Sequence, residues 1–213
     1  MRFTGSCDKE TLDNNRMIVY NKNMRVRDEN KKEAIFDATI SLINEIGLAN
    51  LSMSQIGERA GVSSSTIYVY FENKDDMLKK VYLDVREKLS AALSRNIDQS
   101  APVRQIMERV VRNILDFAEK HTTAFFFLEQ FSNAPMPGES CVQDTVKMLR
   151  PVFDVIERGQ REGILKKSDP VLLWTFCYYG VTQIIKARLM LKQEIIDSQV
   201  KELAQMCWDA IKA

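Results

Sequence analysis

Cysteine and histidine are scarce in this sequence. Cys7, Cys141, Cys177 and Cys207 are scattered over 213 residues with no C-x-x-C spacing, and His121 is the single histidine. That set argues against a metal site and against a disulfide framework, and it suits a reducing compartment. Excess charge is lacking too. With 30 Lys and Arg against 29 Asp and Glu, the chain does not hold nucleic acid by bulk charge, and any such contact has to come from a local patch. The first 24 residues have no apolar stretch of signal-peptide type and are rich in Asn, Asp and Lys. We therefore read residues 1–24 as a disordered or non-native extension, with Met17 and Met24 as alternative starts. The longest apolar run, Val171 to Leu191, carries Gln183, Lys186 and Arg188 and makes a poor bilayer span, so we expect a cytoplasmic protein with no membrane partner. No G-x-S-x-G, phosphate loop or dinucleotide glycine pattern occurs, and the lone histidine has no nucleophile partner by motif. Neither catalysis nor a cofactor is expected.

What is present is helical periodicity on a 45% hydrophobic chain, enough for a sizeable core. Ile35, Ala38, Leu42, Ile43 and Ile46 recur at spacings of three and four and predict a helix from about Asn30 to Gly47. Two short helices follow, the first opened by Ser52 and Gln55 as a capping box and closed by Gly61, the second beginning at Ser63. Asn73 caps a longer helix to about Asn96, with Asp75 and Asp76 in the first turn. Beyond it the pattern predicts helices from Pro102, over Phe125 to Phe131, over Asp144 to Glu162 with Pro151 kinking or dividing it, from Pro170 after an Asp169 cap, and over Ile196 to Ile211. Pro135, Pro137 and Gly138 mark a loop. The expectation is an all-α chain of about nine helices.

The informative stretch is Leu51 to Leu78. Two short helices joined at Gly61 and Val62 form a helix-turn-helix, with Ile56, Ala60, Val62, Ile67 and Phe71 as its small shared core. Ser64, Ser65, Tyr68 and Val69 then face outward, flanked by Thr66 and Tyr70. Such a face suits phosphates and base edges better than bare water, although a hydroxyl-rich surface with no partner remains open. Lys74 is odd in the first turn of a helix, where a cation opposes the dipole, unless a phosphate lies there.

In this stretch Ser52, Ile56, Ala60, Gly61, Val62, Ser63, Thr66, Ile67, Tyr68, Tyr70, Phe71, Lys74, Asp75, Met77 and Leu78 follow in order and without gaps a pattern that resembles the DNA-binding signature of the TetR/AcrR family. The resemblance implies a three-helix DNA-binding domain over residues 25–73 and a larger ligand-binding and dimerisation domain over 74–213, linked by the helix from Lys74. Double-stranded operator DNA is the implied partner. Ser52 and Ser54 touch phosphate or a base edge, Ser63, Ser64, Ser65 and Thr66 lie at the major groove, Tyr68 and Tyr70 bind backbone phosphates, and Lys74 clamps another. Ser65 replaces the common Gly, and Val69 replaces a common His or aromatic, which leaves operator identity open. The recognition helix lacks Arg, Asn and Gln, so direct base readout is modest. Val69 suits a thymine methyl, and Arg25 and Arg27 are candidates for a minor-groove arm.

The resemblance further implies a homodimer through the last two helices, with Leu172, Phe176, Tyr179, Gln183, Lys186 and Met206 at the interface. It also implies a small-molecule effector of apolar or amphipathic kind. Met107, Val111, Phe125, Phe127, Phe131, Met148, Trp174 and Tyr178 are the candidate wall, with His121 and Glu129 as polar contacts. Repression relieved by the effector is the expected outcome; activation, an enzyme, and a ligand-binding helical protein without DNA are the alternatives.

Overall fold

The computed structural model describes the backbone of residues 9–132 and 138–213 and the side chains of residues 28–131 and 141–213. The chain divides into two compact units after Asp76. The first holds α1 (Lys9–Ile46), a 3-10 turn (Leu48–Asn50), α2 (Met53–Ala60) and α3 (Ser64–Tyr70). The second holds most of α4 (Lys74–Leu93), then α5 (Val103–Lys120), α6 (Thr122–Ser132), α7 (Gly138–Met148), α8 (Arg150–Arg161), α9 (Pro170–Met190) and α10 (Asp197–Ile211). Among the described residues there is no strand, only one isolated backbone bridge between Leu165 and Lys212.

In the first unit, α1 buries Ile35, Ala38, Leu42 and Ile43 as their spacing predicts, and Phe36 sets its ring 6.0 Å from that of Phe71. Ile56, Ile67 and Phe71 are buried, but Ala60 and Val62, which the sequence reading put in this core, are only half-buried. Phe36 supplies the volume that they do not. The helix starts are built as their residue types require: Gln55 N–H donates to Ser52 Oγ while Ser52 N–H donates to Gln55 Oε1, and Thr66 N–H donates to Ser63 Oγ. Each bond satisfies an amide that a helix start leaves unpaired.

In the second unit α5 lies centrally, burying Val103, Ile106, Val110, Ile114 and Phe117 on one face. Its Asn113 donates to the carbonyls of Leu93 and Arg95, both at 2.9 Å, and so closes the end of α4. Arg158 on α8 holds the α4–α5 loop by donating to the carbonyls of Gln99 and Ala101. Five boundaries differ from the sequence reading, among them that of α7, which opens at Gly138, six residues before Asp144. The α1 backbone is helical from Lys9, well before Asn30. Helix α4 ends at Leu93, because Asn113 caps it and Asn96 turns left-handed with φ 56°. Helix α6 opens three residues early, at Thr122, whose hydroxyl donates back to Ala118. Pro151 divides the 144–162 segment into α7 and α8, giving ten helices among the described residues in place of nine. Of the expected loop, Pro135 and Pro137 lie outside the described residues, while Gly138 is the first residue of α7.

Candidate nucleic-acid interface

The α2–α3 pair is held at close range by glycine. A Cβ at Gly57 would stand 2.7 Å from the Val62 carbonyl oxygen, nearer than real contacts allow, so only glycine lets the two backbones approach there. Val62 N–H donates to the Gly57 carbonyl at 2.8 Å, and Gly61 turns the chain at φ 68°. Gly57 went unremarked in the sequence, although a glycine in the middle of an eight-residue helix is the signal that finds it.

This turn presents the side of α3 opposite Ile67. Tyr68 and Val69 are 54% and 77% exposed and Ser65 is exposed, while Ser64, Thr66 and Tyr70 are half-buried. The hydroxyls are already linked: Ser63 Oγ lies 2.8 Å from both Ser65 Oγ and Thr66 Oγ1, and Ser52 Oγ lies 3.1 Å from Ser54 Oγ. The Tyr70 hydroxyl donates to Asp28 Oδ1 at 3.0 Å, and burial together with that bond pushes the phenol above its usual range. The Lys74 ammonium donates to the Leu51 carbonyl, which brings the first turn of α4 beside the capped start of α2. A bidentate pair, Arg59 to Glu45 at 2.8 Å twice, ties α2 to α1. The side chains of Arg25 and Arg27 lie outside the described residues.

In the second unit, seven of the eight candidate effector residues are buried and Met148 is half-buried. Several of them meet as ring pairs. The Phe127 and Phe131 rings lie 5.2 Å apart, with Tyr82 stacked on Phe131 at 5.1 Å, and Trp174 stacks on Tyr178 at 5.2 Å. Phe125 pairs edge-on with Phe126, and Met107 lines a narrow crevice with Val110, Pro151 and Val155. Arg86, which no sequence pattern picks out, sits among these rings. Its Nε donates to Tyr82 Oη at 2.8 Å, and the guanidinium lies 5.1 and 6.0 Å from the centres of the Tyr82 and Tyr178 rings. Burial works against its charge, and the neighbouring tyrosine oxygens outweigh that, holding Arg86 above its usual range. Glu129 is buried against Gln183, which donates to it at 2.5 Å, and Lys186, 4.0 Å away. Gln183 and Lys186, expected at a dimer face, thus each have a partner within the chain. Phe117 rests 5.2 Å from the His121 ring. Between α5 and α10 a recess of about 800 Å³ has a mixed lining, with Arg104, Arg112 and Glu108 beside Ile97, Ile106 and Val200.

On α9 and α10 several large apolar side chains are bare: Leu172 and Phe176 are 60% and 67% exposed, and Tyr179, Ile184, Met190 and Met206 are exposed with them. No described helix is long and apolar enough to cross a membrane, and no cluster of potential metal ligands occurs among the described residues.

Two short capped helices meeting at a glycine contact, with a hydroxyl and tyrosine face turned outward, define a helix-turn-helix DNA-binding protein. The profile of bacterial regulatory proteins of the tetR family matches residues 35–81, and that of the tetracyclin repressor-like C-terminal domain matches residues 82–213. The chain belongs to the TetR family of transcriptional regulators. It is 28% identical over 194 residues, 89% of this chain and 100% of the relative, to an uncharacterized HTH-type transcriptional regulator of Haemophilus influenzae. A TetR family transcription regulator from Marinobacter aquaeolei superposes with a TM-score of 0.79 at 22% identity, covering 88% of this chain and 98% of that one. The regulator FadR of Bacillus subtilis, solved in complex with stearoyl-CoA, superposes with a TM-score of 0.64 at 18% identity, covering 83% and 95%.

Proposed function

We propose that this regulator is a homodimeric repressor that leaves a palindromic operator when a small apolar or amphipathic effector binds its second unit. The observation that carries the reading is the α3 face: Ser65, Tyr68 and Val69 stand in solvent with no core to fill. Ser52, Ser54, Ser63, Ser64, Thr66 and Tyr70 complete the contact. Lys74, whose ammonium lies at Leu51 just before α2, adds a cation beside a helix start, a place that favours phosphate. One such module binds weakly. Two in a rigid pair bind tightly if the operator repeats its half-site about one helical turn, roughly 34–36 Å, apart. The exposed Leu172, Phe176, Tyr179 and Met206 supply the apolar surface for pairing.

The amphipathic effector is supported by the ring-rich interior of the second unit and by the stearoyl-CoA complex of FadR, a protein of the same fold. Release requires the effector to prefer the unbound geometry by about 5 kcal/mol to turn near-full into near-empty occupancy. The test is fluorescence anisotropy with labelled duplex from upstream of its own gene. Tight binding that weakens steeply with salt, and is lost on adding an effector from a ligand screen, is the expected result. Failure to bind any duplex at low ionic strength overturns it.

A further inference from the structure

Two cysteines 30 positions apart in sequence meet between α9 and α10. Cys177 is buried on α9, and its Sγ lies 3.8 Å from the Cys207 carbonyl oxygen on α10. The Cys177 thiol donates its hydrogen to that carbonyl, which seats the Cys177 sulfur against the α10 backbone at Cys207. They are not equivalent. Cys207 is half-buried and keeps some contact with solvent, whereas Cys177 has almost none. The interaction between the neighbouring thiols, with burial, pushes Cys177 up, and the same interaction draws Cys207 down against the opposing effect of burial. A reachable sulfur with thiolate character beside a sheltered second thiol is the arrangement of a peroxide-reactive pair.

We propose that Cys207 is a modification site for small hydroperoxides and that Cys177 resolves it into a disulfide joining α9 to α10. The Cys207 thiolate attacks the terminal peroxide oxygen. The S–O bond forms as the O–O bond breaks, and the departing alkoxide takes a proton from water to leave as an alcohol, or as water from hydrogen peroxide itself. The Cys177 sulfur then attacks the Cys207 sulfenic acid: the S–S bond forms, the S–O bond breaks, and hydroxide leaves with the Cys177 proton as water. The pair loses two electrons and the hydroperoxide gains them; a dithiol reductant reverses the change. Cys141 is an internal control, being fully buried with its thiol pushed up by burial.

The test is peptide mapping without reductant on the full-length protein in the oligomeric state in which it is isolated, after graded hydrogen peroxide and quenching with N-ethylmaleimide. The expected result is a Cys177–Cys207 linked peptide that grows with dose and disappears on adding dithiothreitol, while Cys141 stays reduced. In Cys177→Ser the Cys207 sulfenic acid persists and is trapped by dimedone. In Cys207→Ser oxidation at Cys177 slows by about tenfold or more. Absence of the linked peptide in the unaltered protein, or equal oxidation of Cys177 when Cys207 is replaced, overturns the proposal. The readout is sulfur chemistry alone, so it stands whether or not the operator reading does.

Discussion

Tyr70 spends its hydroxyl hydrogen on Asp28, 3.0 Å away on α1. A phosphate seeking the same donor has to displace that carboxylate, and the negative charge of Asp28 also repels it. Replacing Asp28 with Asn is therefore expected to tighten duplex binding, whereas Tyr70→Phe weakens it, by about 1 kcal/mol each way for one hydrogen bond. Anisotropy titrations at fixed salt measure both, and identical affinities for the two variants remove Tyr70 from the interface.

Lys74 serves two ends. Its ammonium reaches Leu51, and in the operator reading it also neutralises one phosphate per protomer. Lys74→Met should lower the slope of log K against log salt by about 0.9 per protomer. A slope equal to that of the unaltered protein means that the lysine only braces α4.

Gly57→Ala forces a methyl into the 2.7 Å gap at the Val62 carbonyl. Backbone cannot retreat as a flexible side chain does, so overpacking of about 1–3 kcal/mol is expected. Urea unfolding followed by circular dichroism gives the loss, and duplex affinity should fall with it.

The Arg59–Glu45 pair holds Glu45 below its ordinary carboxyl range, chiefly through the hydrogen bonds from Arg59. A carboxyl with a lowered folded value stabilises above its unfolded value and loses that contribution as pH falls through the folded one. The gap in melting temperature between the unaltered protein and Glu45→Gln should be present at neutral pH and close in the acid range. Both groups are largely solvated, so the gap is small.

The two tryptophans separate the candidate effector locations. Trp174 stacks within the aromatic interior on Tyr178, while Trp208 lies under Arg104, which lines the α5–α10 recess. With stearoyl-CoA as probe, quenching that survives Trp208→Phe and vanishes in Trp174→Phe supports the aromatic interior; the reverse pattern moves the site to the recess.

The helical layout was legible because helix starts announce themselves locally. Ser52 with Gln55, Ser63 and Asp169 each take the capping role that their types predict, and Pro151 divides α7 from α8. The helix-turn-helix was legible from spacing and from its resemblance to a family. What stayed hidden depends on tertiary contact. Nothing near Asn113 in sequence says that it closes α4, and nothing marks Arg86 as the cation set among the aromatic rings. The approach of Cys177 to Cys207 follows only from the pairing of two helices. The α5–α10 recess was likewise hidden, because its lining joins residues of two helices distant in sequence, such as Arg104 and Val200.

The bare apolar face of α9 and α10 also bears on how much of this protein can be held in reserve. Phe176, Leu172 and Met190 left open to water are what quality-control machinery grips. In the homodimer reading, joined copies shelter this surface and solitary ones leave it open to such capture. On that reading the standing stock is set by how readily newly made chains meet, since resistance to unfolding rises with protomer concentration.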